Sequence, residues 1–139
     1  MFRFIMASHG NFASGIKESI NMISGNFDCL ESFCCYVDKN FDIHKSIDEL
    51  LTKYKEDDVI VITDIYGGSV NNAFLEKLHQ YPNLHLISGL NLSLMLALLL
   101  EKDNYSNIKS LITDSINDSK DSFKYCNEEF NKTLSDDEF

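Results

Sequence analysis

Four histidines occur in the chain, and only His9 stands in a short polar loop, directly after an apolar run and just before Gly10. An imidazole that attacks phosphorus needs one ring nitrogen with a free lone pair and the other held as a donor, so that the tautomer is fixed. A carboxylate does that holding, and Asp64 ends a second apolar run. Just beyond it, Gly67-Gly68-Ser69 offers glycines whose amides can face one spot, and a serine placed to cap a helix beginning near Val70. Such a turn suits a phosphoryl group, whose negative charge is spread over several oxygens. Each part has an ordinary reading: a lone histidine caps or packs, an aspartate caps its own loop, and a Gly-Gly-Ser turn is only a turn. Their conjunction predicts that His9 accepts and passes on a phosphoryl group, oriented by Asp64, with Gly67, Gly68 and Ser69 as the phosphate cradle.

Competing chemistry has no motif. The chain contains no Walker loop, no GxGxxG and no paired histidine or cysteine metal spacing, which argues against a nucleotide kinase and leaves no cofactor or metal to expect. His44, His79 and His85 lie on polar helix faces or at a strand start and are read as structural or solvent-exposed.

These residues need a scaffold that brings strand ends together. Short β-rich runs, Phe2 to Ala7, Leu30 to Val37, Val59 to Thr63 and Leu84 to Ile87, alternate with longer helical patterns, as in βαβ units with a parallel sheet. The first and third runs are apolar almost throughout, as central strands covered on both faces must be. The expected fold is α/β, a doubly wound, mainly parallel four-stranded sheet of order 2-1-3-4 flanked by helices. In that order strands one and three are neighbours, so Asp64 comes within reach of His9.

The helical stripes are Phe12, Ile16, Ile20 and Ile23, then Ile47, Leu50, Leu51 and Tyr54, then Val70, Ala73, Phe74 and Leu78, each expected to face the sheet. Leu92 to Leu100 is apolar nearly all round and must be buried in the core or against another subunit, a homodimer contact being the favoured alternative. After a break at Asp103 to Tyr105, the residues Ile108, Leu111, Ile112, Ile116 and Phe123 mark a last helical face. The polar, acidic tail, residues 127–139, is expected to be flexible or to add a short edge strand at Phe130 to Leu134. No repeat or linker divides the 139 residues, so one domain is expected.

Ligands of open parallel sheets bind beyond the carboxyl ends of the strands. Three loops fall there: Ser8 to Asn11, Asp64 to Ser69, and Ser88 to Asn91 with Gly89. All are rich in glycine and small polar residues, whereas Lys53 to Asp58 at the opposite edge is charged and lacks glycine.

Composition narrows the partners. A formal net charge of −10 and no cluster of Lys and Arg exclude a nucleic-acid surface and favour encounter with a basic patch on another protein. A chain of this size buries on the order of two thirds of its unfolded surface and folds without disulfides. Cys29, Cys34, Cys35 and Cys126 show no CxxC spacing and are read as reduced thiols of a cytoplasmic protein. The segment before His9 is too short for a signal peptide, and Leu84 to Leu100 is interrupted by Ser88, Gly89, Asn91 and Ser93, short of the roughly 18 apolar residues of a membrane span.

The chain resembles the IIA components of the mannose family (mannose, fructose, sorbose) of the sugar phosphotransferase system. The likeness runs through Ile5-Met6-Ala7-Ser8-His9-Gly10, Val61 to Ser69 with Asn72, and Ser88-Gly89-Leu90-Asn91. It implies that His9 takes phosphate from the phosphohistidine of the carrier HPr and hands it to a IIB component, which phosphorylates a sugar during transport through membrane IIC and IID components. It further implies a homodimer, with Ser8, Gly10, Asn72, Gly89 and Asn91 as supporting loop residues, and phosphorylation on the ring nitrogen far from the backbone. Tyr66 stands where several members have tryptophan, and Val70 and Ser93 where several have proline. Two other readings remain open: a regulatory phospho-acceptor module of the same fold, and a flavodoxin-like domain that binds a small anion without chemistry.

Overall fold

The computed structural model describes residues 2–137, so Met1 and the last two residues of the expected tail lie outside the described residues. Its strands are β1 (Phe2–His9), β2 (Leu30–Cys35), β3 (Asp58–Thr63) and β4 (Leu84–Ser88). All pair in parallel, in the order β2-β1-β3-β4. The helices are α1 (Phe12–Ser24), α2 (Ile43–Lys53), α3 (Ser69–Leu75), α4 (Leu92–Glu101), α5 (Ile108–Lys120) and α6 (Cys126–Asp137).

The central strands are apolar on both faces because both faces are covered. Alternate residues of a strand point to opposite sides. Phe4 and Met6 of β1 therefore join Ile60 and Ile62 of β3 against Ala13 and Ile20 of α1, Leu94, Met95, Leu98 and Leu99 of α4 and Leu111 of α5. Ile5, Ala7, Val59 and Val61 pack on the other side against Ile47, Leu50 and Leu51 of α2 and Val70, Ala73 and Phe74 of α3. Burying one such aliphatic side chain stabilises the fold by about 1.5–3 kcal/mol, so the two half-cores together hold the sheet edge still. Side-chain caps start three helices: Asp42 accepts from the Lys45 amide (3.2 Å), Asn91 from Leu94 (2.9 Å) and Asn107 from Ser110 (3.1 Å).

Several expectations change at the periphery. β2 stops at Cys35 rather than Val37, because Tyr36 takes a left-handed backbone conformation, φ 65°. Phe12 and Ile23 of α1 are exposed; both turn to one flank, roughly 60–80° round from Ile20 at the helical period, and Ala13 takes the inner position. Phe123 lies beyond the end of α5 and is exposed. The sheet, α1 and α5 cover Leu94, Met95, Leu98 and Leu99 of α4, whereas Leu96 and Ala97 are half-buried and Ser93 and Leu100 exposed, so one flank of this apolar helix faces outward from the chain.

The described part of the tail is helical and adds no edge strand to the sheet. It forms α6, with Glu128 and Glu129 in the first turn, where the helix dipole favours them, and Lys132 within 3.5 Å of Glu129. No glycine or proline interrupts it. Every α6 side chain described, Cys126 to Ser135, is exposed.

Candidate functional site

In a doubly wound sheet the chain leaves neighbouring strands towards opposite faces at one point, opening a crevice at their carboxyl ends. Here that point lies between β1, which leads to α1 on one face, and β3, which leads to α3 on the other. Ala7 stands opposite Thr63 in the ladder, and the Asp64 amide donates to the Ala7 carbonyl (3.1 Å), carrying the pairing one residue further. His9 and Asp64 thus meet at the switch point, as expected.

His9 is the last residue of β1 rather than a loop residue, and its side chain is 45% exposed against 14% for Asp64. One carboxylate oxygen, Asp64 Oδ2, accepts from the His9 amide at 2.7 Å and lies 2.7 Å from His9 Nδ1. The other, Oδ1, accepts from the Ile65 amide at 3.0 Å. Burial pushes the Asp64 pKa up, but the donors from His9, its charge and the Ile65 amide outweigh this and hold the carboxyl below its ordinary value. An ionised Asp64 can only accept, so in the neutral imidazole Nδ1 carries the proton and Nε2 keeps the lone pair.

Nε2 lies 3.1 Å from Ser69 Oγ. As the acceptor there, Nε2 takes the single Ser69 hydroxyl proton. Ser69 Oγ is also 3.0 Å from the Tyr36 hydroxyl; with its own proton engaged, Ser69 accepts from Tyr36. A hydrogen-bonded line therefore runs from Tyr36 through Ser69 and the imidazole to Asp64.

The cradle differs in detail from the expected one. Gly68, not Ser69, is the N-cap of α3, and Ser69 is its first helical residue with the hydroxyl turned to His9. The Gly68 amide closes an Ile65–Gly68 turn on the Ile65 carbonyl (3.3 Å), with Gly67 in the positive-φ position at 82°. Glycine at 68 is a matter of room: an added Cβ would lie 2.8 Å from Ile65 Cγ2 and 3.4 Å from His9 Cε1. Asn72 holds this turn from behind by donating to the Gly67 carbonyl (3.2 Å).

The remaining loop residues act as supports. Buried Ser8 accepts from the Ala13 amide (2.9 Å) and donates to the Gly10 carbonyl (3.1 Å), doing for α1 what the Asn11 side chain does not. Gly10, φ 60°, donates to the Cys35 carbonyl at 2.8 Å. Gly89 donates to the Thr63 carbonyl, and Asn91 closes its own loop on the Gly89 carbonyl (both 2.9 Å); neither bonds to His9. His44 and His79 are exposed and His85 lies half-buried in β4.

Two contributors escape the sequence reading. Buried Asn71 accepts from the Thr63 hydroxyl at 2.7 Å and ties α3 to the end of β3. Tyr36 falls within the second expected strand, Leu30 to Val37; its ring lies 5.6 Å from the His9 ring, tilted 32°, and edge-on to Phe41 at 5.4 Å. A left-handed aromatic residue costs on the order of 1–3 kcal/mol, which these contacts offset. The signal for Tyr36 was register: Cys35 stands opposite His9 in the β1–β2 ladder, so the next residue leaves beside the imidazole. Cys35 itself is no rival nucleophile, since burial and the neighbouring Asp64 charge push its thiol pKa up to about 12.

The family described as PTS system fructose IIA component matches residues 3–116 of the chain. The fructose-specific EIIA component of Bacillus subtilis (strain 168) is 27% identical over 140 residues, covering 95% of this chain and 91% of its own. The sorbose-specific EIIA component of Klebsiella pneumoniae is 25% identical over 99 residues, covering 71% and 73%. Among solved structures, a Klebsiella pneumoniae chain assigned to a phosphoenolpyruvate-dependent sugar phosphotransferase system permease superposes with a TM-score of 0.87 at 38% identity, covering 93% of each chain.

Proposed function

The chain belongs to the family of phosphotransferase-system IIA components of the mannose, fructose and sorbose group, and from that premise we propose that His9 takes a phosphoryl group from phospho-HPr and passes it to a IIB component. The observation that carries this reading is the divided imidazole, with Nδ1 2.7 Å from Asp64 Oδ2, Nε2 3.1 Å from Ser69 Oγ and the side chain 45% exposed.

In the proposed step the Ser69 hydroxyl rotates off Nε2. The Nε2 lone pair then attacks phosphorus, the N–P bond of the donor histidine breaks, and that bond pair returns to the donor ring. The proton on Nδ1 stays where Asp64 holds it and offsets charge arriving at the ring. Ser69 turns its proton to a phosphoryl oxygen, joined by first-turn amides of α3, which have no intrahelical acceptor. Passage to IIB is the same displacement run towards another nucleophile.

Exchange between two proteins also demands a surface they can meet on. Phe12, Tyr36, Val37, Ile65 and Tyr66 are exposed on the segments that follow β1, β2 and β3 around His9. Apolar residues grouped at a reactive edge suit a transient contact, while the net charge of −10 favours a basic partner. HPr and a IIB protein are the proposed partners, IIC and IID act only through IIB, and a cytoplasmic homodimer is the proposed working form. No helix among the described residues is long and apolar enough to cross a membrane.

The test is labelling with phosphoenolpyruvate, enzyme I and HPr, followed by discharge to a panel of IIB proteins. One acid-labile phosphate per chain, lost in His9→Ala, is expected. Full labelling of His9→Ala ends this reading, and charging without discharge to any IIB moves the protein to a regulatory role.

A further inference from the structure

We infer that Tyr36 is a positioning residue for the phosphohistidine, acting through Ser69; the inference rests on His9 as the phospho-acceptor.

The proton inventory along the hydrogen-bonded line leads to it. Ser69 has one hydroxyl proton. While Tyr36 donates to Ser69 Oγ from 3.0 Å, that proton is left for whatever stands at Nε2. In the resting site this is the ring nitrogen. Once Nε2 bears phosphorus it no longer accepts, and the same proton turns to a phosphoryl oxygen. Tyr36 thereby keeps Ser69 a donor in both states, and its own O–H bond polarises the serine. Without the tyrosine hydroxyl, Ser69 is free to rotate and spend its proton on water.

Backbone and ring contacts place the tyrosine, which stays 47% exposed. Its φ of 65° directs the chain out of β2, and the ring sits between Phe41, 5.4 Å away edge-on, and His9, 5.6 Å away. The hydroxyl is the part of the side chain that hydrogen-bonds to Ser69, so Tyr36→Phe removes that bond and leaves the ring contacts with Phe41 and His9.

The experiment charges the protein chemically with potassium phosphoramidate, which needs no carrier, and follows loss of acid-labile phosphate at neutral pH. Label on a His9→Ala control is subtracted, and circular dichroism checks the fold of every variant. Tyr36→Phe is expected to shorten the phosphohistidine half-life by up to roughly tenfold, the scale of one hydrogen bond. Ser69→Ala should do at least as much, and the double variant no more than Ser69→Ala alone, because the tyrosine has nothing left to act through. Equal half-lives in wild type and Tyr36→Phe, or additive effects in the double variant, overturn the inference. If phosphoramidate charges His9 and the cycle holds while phospho-HPr does not label the protein, the carrier reading fails and the role of Tyr36 stands. No phosphate on His9 from either donor overturns both.

Discussion

Replacing Asp64 by asparagine tests the site at its most constrained atom. Asp64 Oδ2 serves two His9 groups, each at 2.7 Å, and Oδ1 serves the Ile65 amide at 3.0 Å. An asparagine of the same shape has one acceptor and one donor. With its oxygen towards His9, its NH2 confronts the Ile65 amide; flipped, the NH2 confronts the His9 amide and forces the ring into the tautomer protonated at Nε2, which has no lone pair there. Either way a donor loses its acceptor and the ring loses its counter-charge. Hydrogen bonds to a charged group contribute about 1.5–3 kcal/mol each, and a loss of about 2–3 kcal/mol in the transition state slows phosphorylation by roughly 30- to 150-fold. Rapid-quench labelling from phospho-HPr measures this directly. Stability supplies a second readout. The folded-state pKa of Asp64 is depressed, so its contribution is present above the unfolded carboxyl pKa and is lost as pH falls through the folded value. The stability gap between wild type and Asp64→Asn in urea titrations should therefore be largest near neutrality and shrink on acidification. A variant labelled at the wild-type rate, or a gap that widens towards acid, refutes the reasoning.

Gly68→Ala should lower stability by about 1–2 kcal/mol, since the added carbon lies 2.8 Å from Ile65 Cγ2 and crowds the His9 ring; an unchanged urea midpoint would show that the turn yields freely. In the native protein at pH 8, iodoacetamide should modify exposed Cys126 and spare Cys35, whose thiol is buried with its pKa pushed up to about 12; peptide mass spectrometry reads the ratio, and prompt labelling of Cys35 contradicts its burial. Deleting residues 126–139 should leave Tm unchanged, because no described α6 side chain is buried; a fall of more than about 4 °C, the thermal equivalent of roughly 1 kcal/mol in a chain of this size, would reveal packing that the fold does not contain.

Local physics wrote much of this protein into its sequence. Apolar runs such as Val59 to Thr63 admit only strands covered on both faces, stripes such as Ile47, Leu50 and Leu51 admit only helices laid on a sheet, and glycine and small polar residues mark the strand ends that must stay open. From these came the strand order and the meeting of His9 with Asp64, because pairing neighbours in a parallel sheet leaves their ends side by side. Periodicity fails where the determining contact is neither local nor periodic. Tyr36 looks like a strand residue until β2 ends against β1, and Ser69 looks like a helix cap until the imidazole draws its hydroxyl away. The tail reads as coil or edge strand because α6 has no apolar stripe to announce it and is held by its own backbone and charge pattern. Residue type and period set which segments are strands and helices and what chemistry the loops can carry; where hydroxyls point and which proton each donates was decided only when three separate strand ends were packed together, since a hydrogen bond depends on ångström-scale distances between residues far apart in the chain.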